Sequence, residues 1–358
     1  MRFKKMIPGC TRLMLTETGC FTYHNGLVHL LDKELEVKRV GELNGCEFIS
    51  DYKDDIIIKD DGGKGFLIDK KNSVIKEIEN FDQLKLSNYR YKEYLPVYIR
   101  KSIYDQSKEG IYSLKEKRVL WLSENCKSNR FVNEYFVGYF DNFLFRNDIQ
   151  NGELLWQFSF EKGPGYKNID GNIQPAELSS IIGAYKNKLW LHVKQFYFLA
   201  LDIETGIVAH QFFMPDIFGR STITRWQDSL SIGDLHLDAD KGIIKSLAYW
   251  RYWEFDLNTF TGTIKKEFGH ATKENPIAWS INQSRSYPGD KNLYFIGKRS
   301  RQVLNDIVGV FDTELCDVTW YDKPLQSQDW LSFSSSPQSN DKYMAVQDSK
   351  NNLWVYEK

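Results

Sequence analysis

Residues Tyr197 to Phe213 read YFLALDIETGIVAHQFF. An apolar run closes on Asp202, a polar stretch ends in Gly206, and a second apolar run follows. Each run is strand-sized and rich in aromatic and β-branched residues, which suits a pleated surface better than a helix. The turn between them has its own chemistry: an Asp carboxylate accepts hydrogen bonds from backbone N–H groups just ahead of it, and Gly accepts positive φ at no steric cost. The stretch therefore predicts a β-hairpin.

Working outward, the same pattern recurs along the chain. It ends on Asp32 in LVHLLDKELEVKRV, on Asp69 in KGFLIDKKNSVIKEI and on Asp148 in FLFRNDIQNGELLWQF. It returns at Asp256 in YWEFDLNTFTGTIKKEF and at Asp312 in VGVFDTELCDVTWYD. Two further copies carry Lys115 (GIYSLKEKRVLWL) and Glu357 (LWVYEK) at that position. Successive anchors lie 33 to 56 residues apart, the spacing of a four-stranded propeller blade. Gly152, Gly206 and Gly262 are read as the turn glycines.

Upstream of the hairpins lie further strand candidates: Arg12 to Thr16, Phe21 to His24, Leu178 to Tyr185 and Lys188 to Val193. The last unit offers Trp330 to Ser334, Lys342 to Val346 and Asn352 to Tyr356, and then runs out. Residues Arg2 to Ile7 can supply its fourth strand, which would leave no sheet edge unpaired. The prediction is an all-β propeller with eight four-stranded blades. It forms one domain over 1–358, with residues 1–7 completing the last blade at 328–358. Seven blades is the alternative, because the third unit, from Leu84 to Ser123, lacks both the Asp and the Gly.

The units resemble pyrroloquinoline-quinone-like and WD-like propeller repeats. Ala200-Leu201-Asp202-Ile203-Glu204-Thr205-Gly206 is close to the quinoprotein repeat pattern, and Asn147 to Trp156 is a weaker copy. The resemblance implies the fold. The export signal, adjacent cysteine pair and calcium set of a quinoprotein dehydrogenase are not visible, so no cofactor is expected, and degenerate repeats of this kind serve as binding scaffolds.

Composition narrows the function classes. The chain has 358 residues, with 47 Lys+Arg against 48 Asp+Glu. A net charge of −1 gives no footprint for nucleic acid or an anionic membrane, so any such contact must be a local patch. No apolar run approaches a membrane span. The five cysteines are scattered, with no CxxC or Cys/His cluster, which predicts reduced thiols and a cytoplasmic location. Basic Met1 to Lys5 followed by Ile7-Pro8-Gly9-Cys10 faintly resembles a lipoprotein cleavage box, but the apolar segment a signal peptide needs is missing.

The most chemical-looking stretch is Asp234-Leu235-His236-Leu237-Asp238-Ala239-Asp240-Lys241-Gly242. On a strand, Asp234, His236, Asp238 and Asp240 would share a face and could hold a divalent cation. The favoured reading is an outer strand entering a turn, since the other ligands of a calcium loop are absent. The acidic pairs Asp54-Asp55 and Asp60-Asp61 flank Ile56-Ile57-Ile58 and would suit a metal or a basic partner, but Asp60-Asp61-Gly62-Gly63 reads first as a β-turn. Tyr249-Trp250-Arg251-Tyr252-Trp253 is read as core.

Three connections carry residue types that dominate binding hot spots. They are Glu161 to Glu177, with Tyr166; Phe218 to Trp226, with Arg220, Arg225 and Trp226; and Ile281 to Asp290, with Arg285 and Tyr287. Without a catalytic motif, these point to a non-catalytic module that recognises a protein through loops. The alternatives are a carbohydrate-active hydrolase or lyase using carboxylates such as Asp170, Glu177 and Asp290, or a binder of a glycan or small ligand.

Overall fold

The computed structural model describes residues 1–16, 19–32, 34–81, 83–87, 90–99, 107–124, 129–162, 166–167, 172–174, 176–194, 197–218, 234–268, 279–287, 289–299, 304–325 and 331–358. Eight four-stranded antiparallel sheets account for nearly all of the regular structure, as the blades of an eight-bladed β-propeller. No helix among the described residues is long and apolar enough to cross a membrane. By contact density the chain divides into two compact units, Thr18–Phe212 and the pair of segments Met1–Glu17 with Phe213–Lys358.

Blade 1 comprises Arg12–Leu15, Cys20–His24, Leu27–Leu31 and Val37–Glu42; blade 2, Glu47–Tyr52, Asp55–Lys59, Gly65–Asp69 and Ile75–Glu77. Blade 3 comprises Lys85–Leu86, Tyr94–Ile99, Lys108–Ser113 and Arg118–Ser123; blade 4, Asn129–Val132, Tyr135–Phe140, Phe143–Asn147 and Leu154–Ser159. Blade 5 comprises Leu178–Tyr185, Lys188–Val193, Tyr197–Asp202 and Val208–Phe213; blade 6, Leu235–Asp238, Ile243–Ala248, Arg251–Asp256 and Thr261–Glu267. Blade 7 comprises Trp279–Ser286, Asn292–Arg299, Ile307–Asp312 and Asp317–Asp322. Blade 8 takes Gln338–Ser339, Tyr343–Gln347 and Leu353–Glu357 from the end of the chain and Arg2–Ile7 from its start. Arg2 pairs with Glu357, Phe3 with Tyr356 and Ile7 with Leu353, antiparallel, as the missing fourth strand requires.

Burial follows strand position within a blade. The third strand of blade 7, Ile307–Asp312, is buried along its whole length, and Lys188–Val193 is buried from Leu189 on. The fourth strands of blades 6 and 7, Thr261–Glu267 and Asp317–Asp322, alternate. A middle strand packed on both faces must be apolar throughout, whereas a strand with one face in water alternates. Neighbouring blades share cores: Leu189, Leu191, Leu199 and Leu201 of blade 5 meet Val137 and Leu144 of blade 4. Tyr294, Ile296 and Val308 of blade 7 likewise meet Met344, Val346 and Tyr356 of blade 8. Each such side chain contributes about 1.5–3 kcal/mol on burial.

The repeat turn also receives the preceding blade. Asp202 accepts hydrogen bonds from the N–H groups of Glu204 and Thr205, while Gly206, at φ 70°, donates to the Asp202 carbonyl. The Trp156 indole of blade 4 donates to the Ile203 carbonyl at 2.8 Å, and its ring leaves so little room that a Cβ on Gly206 would stand 2.7 Å away. One blade earlier, Trp121 makes the same bond to the Ile149 carbonyl at 2.8 Å beside Gly152. Positive φ and the indole both demand glycine there.

Several expectations are corrected. In blade 3 the turn anchor is Ser113, whose hydroxyl accepts the Glu116 N–H at 3.1 Å, rather than Lys115. Gly262 lies in a strand opposite Phe255; the positive φ of that turn falls on Phe260. Blade 8 starts at Gln338–Ser339, so Ser332 to Ser334 is not its first strand; Phe333 makes an isolated bridge to Asp348, and Trp330 lies outside the described residues. Trp279–Ser286 is a strand where a loop from Ile281 was expected, because Ile281 and Ser284 are buried between neighbouring strands. Of the aromatic run 249–253, Tyr252 and Trp253 are core while Tyr249 is exposed at φ 51°. The Asp60 carboxylate accepts the Lys64 N–H at 2.8 Å, as a turn residue should.

Candidate functional site

The strand Leu235–Asp238 opens blade 6 beside the first strand of blade 7. The Ser284 N–H donates to the Asp234 carboxylate at 2.9 Å, and the His236 Nε2 lies 3.1 Å from the Ser284 hydroxyl. Burial pushes the His236 pKa down to about 4, against the pull of Asp234, so the imidazole is neutral at pH 7. These two side chains tie blade 6 to blade 7.

The next two acidic residues do something else. The Asp238 carboxylate accepts the Lys241 N–H at 3.2 Å and stands 3.7 Å from the buried Lys245 ammonium. A buried ammonium needs such a partner, because its desolvation is otherwise uncompensated. Asp240 is exposed at the tip of the same turn. Among the described residues no three His, Cys, Asp or Glu side chains are placed to hold a metal ion, and the four alternate residues divide between a tether and a turn.

That turn forms one wall of a cleft of 860 Å³. Leu237 to Lys241 and Lys245 of blade 6 face Ser286, Tyr287, Gly289 to Asn292 and the Thr313-Glu314 turn of blade 7. Blade 7's wall is internally bonded. Asp290 accepts the Tyr294 hydroxyl at 2.6 Å and the Asn292 amide and backbone N–H at 2.9 Å each, with the Lys358 ammonium 3.8 Å away. Lys291 bridges Asp312 at 2.9 Å and Glu314 at 3.1 Å, and those bonds raise its pKa. Its Asp312 partner is held below the usual carboxylate range, despite burial, by the Leu315 and Glu314 N–H groups and by Lys291.

Two residues singled out in the sequence meet at this wall. The Tyr287 hydroxyl donates to the Pro337 carbonyl at 3.2 Å, and its ring packs edge-on against Tyr294. Arg285 is exposed on the strand with its guanidinium 5.4 Å from the Tyr287 ring centroid. Tyr166 belongs to a short strand, Tyr166–Lys167, paired with Ile173–Gln174 within the connection expected to be all loop. Arg220, Arg225, Trp226 and Asp170 lie outside the described residues. Glu177 is ion-paired with Lys194 at 2.5 Å.

Lys245 and the Thr313-Glu314 turn were not anticipated. Lys245 had a signal, as the one charge in the otherwise apolar or small Ile243–Ala248 strand. Glu314 follows an anchor Asp, so its place on a cleft could have been inferred only by setting the first-to-second-strand connection of one blade beside the turn of the next.

The chain matches no protein-family model and no curated protein. Among solved structures it is similar to Sqt1 of Saccharomyces cerevisiae, at a TM-score of 0.59 and 13% identity over 99% of this chain and 97% of that one. It is also similar to the computationally designed Ika8 protein, at a TM-score of 0.51 and 10% identity over 98% and 96% of the two chains. The chain folds as a propeller built of repeats. At these identities the likeness is one of fold, and a fold hosts many functions.

Proposed function

We propose that the protein is a non-catalytic, cytoplasmic module that recognises a partner protein through the connections at its blade corners, with the blade 6–7 cleft as one contact surface. The observation that carries this reading is the state of the cleft's charged groups. Asp238, Lys245, Asp290, Lys291 and Glu314 each already hold a partner within the blades. Charges fixed in this way present a pattern at low entropic cost, the requirement for recognition. The resemblance of the repeats to pyrroloquinoline-quinone-like and WD-like propellers supports a scaffold role. The scattered cysteines, which form no CxxC or Cys/His cluster in the sequence, support a reducing compartment.

A glycan reading is weaker at this cleft. Its one aromatic lining residue among those described, Tyr287, spends its hydroxyl on Pro337 and an edge of its ring on Tyr294.

The test is a quantitative pull-down from cell extract comparing the wild type, a D240K/K241E/E314K variant and a K38E/K350E control. The cleft variant should lose a partner that the control retains, with its thermal midpoint unchanged. A cleft variant that keeps every partner of the wild type would overturn the assignment.

A further inference from the structure

The Thr18–Phe212 unit contains a cleft of the same construction with the opposite electrostatics. Tyr52 and Lys53, at the hairpin leaving the first strand of blade 2, face Arg90, Lys92 and Glu93 in the corresponding connection of blade 3. Lys115, in the third-to-fourth-strand turn of blade 3, completes the lining of a 430 Å³ space. These are the positions in strand order that build the blade 6–7 cleft. There the buried and bridging lysines have carboxylate partners. Here four cations face one carboxylate, Glu93, and none of the four forms an ion pair among the described residues.

Arg90 shows that the excess charge is fixed in place. Its Nε donates to the Ser50 hydroxyl at 2.9 Å, and its two terminal nitrogens donate to the Lys92 and Asp51 carbonyls. The Tyr52 ring lies 5.5 Å from the guanidinium and 5.2 Å from the Lys53 ammonium. These bonded groups are neutral; the Asp51 carboxylate acts on Arg90, and Glu93 and Glu134 on Lys92, only through their fields, so the guanidinium is oriented without a paired carboxylate. The turn contributes too: Ser113 anchors it where six other blades use Asp, and Lys115 follows two residues later. A chain of net charge −1 thus concentrates positive charge at one blade corner.

We infer that the blade 2–3 cleft binds an acidic segment of a partner protein, whose carboxylates meet Arg90 and the Lys53, Lys92 and Lys115 ammonium groups. This rests on the interaction reading above and names the chemistry of one partner. An extended acidic chain fits better than a single phosphate. Phosphate sites converge backbone N–H groups on one point, whereas these charges are side-chain heads carried on three separate connections. Lys53, Lys92 and Lys115 are exposed and ready to meet charges spread along a peptide.

The test is fluorescence anisotropy of a fluorescein-labelled decapeptide of alternating glutamate and serine, with its glutamine counterpart, titrated with the full chain at 50 and 200 mM salt. The glutamate peptide should bind, more weakly at the higher salt, and the glutamine peptide should not. Affinity should fall at least tenfold in K53E/K92E/K115E and survive in K38E/K186E/K350E, which carries the same charge change elsewhere. K53Q/K92Q/K115Q, with its thermal midpoint checked, covers the case in which the charge reversal disturbs folding. Wild-type affinity in both cleft variants, no binding to the wild type, or displacement of the peptide by inorganic phosphate at matched ionic strength would each overturn the inference. Those outcomes leave the D240K/K241E/E314K pull-down untouched, so the two readings fail separately.

Discussion

His192 shows what a single side chain costs in this fold. It is 8% exposed in the second strand of blade 5, its Nε2 has no hydrogen-bond partner among the described residues, and burial pushes its pKa down to about 4. The unfolded chain binds the proton near pH 6.5, so between pH 6.5 and 4 the unfolded state holds more protons and stability falls as pH falls. At pH 5 the loss from this residue is about 2 kcal/mol relative to pH 7. His236 titrates in the same direction. Replacing His192 by Leu should make the thermal midpoint fall less steeply between pH 7.5 and 5. Parallel curves for the two proteins would refute the assignment. Nothing local in Lys188–Val193 says whether His192 is packed or exposed; that depends on the blade faces around it.

At the scale of the element, the Asp-to-Gly turn was legible because its chemistry is local. Asp202 is held below the usual carboxylate range by Lys188 and by the turn's own N–H and hydroxyl groups, and all but Lys188 lie within three residues of it. Blade 3 departs from the pattern because a hydroxyl at Ser113 does the same bonding from the last residue of the strand. The indole against Gly206 was not legible, since Trp156 lies 50 residues away in another blade. Two glycines separate the effects. Gly206 and Gly289 both have positive φ, at 70° and 74°, but a Cβ on Gly289 meets nothing within 4 Å. G289A should cost about 1–2 kcal/mol in urea unfolding, the left-handed penalty alone. G206A should cost about 2 kcal/mol more, because Trp156 must move. Equal costs would show that the indole yields freely.

For the whole molecule, the eight anchors correspond to eight third strands, except that the blade 3 anchor shifts by two residues. The pairing of Arg2–Ile7 with Leu353–Glu357 joins the two ends of the chain in one sheet. Deleting residues 2–7 removes every ladder bond on that side of Leu353–Glu357 and bares an apolar strand edge. The deletion should lower the thermal midpoint of the protein as a whole and produce concentration-dependent association in light scattering. A truncated chain with the wild-type midpoint that stays monomeric would refute the closing role.

By itself the sequence determined the repeat, the strand count of each unit and the use of both chain ends in one blade. Alternation, turn chemistry and spacing act over a few residues and survive wherever the strand is placed. Only the tertiary structure decided which charges meet. Lys53, Arg90 and Lys115 come from three connections spread over more than 60 residues of chain, and Asp238 faces the Lys291 turn across a blade boundary. Whether such groups neutralise one another, as in blades 6 and 7, or leave charge unspent, as in blades 2 and 3, depends on distances that no local pattern encodes.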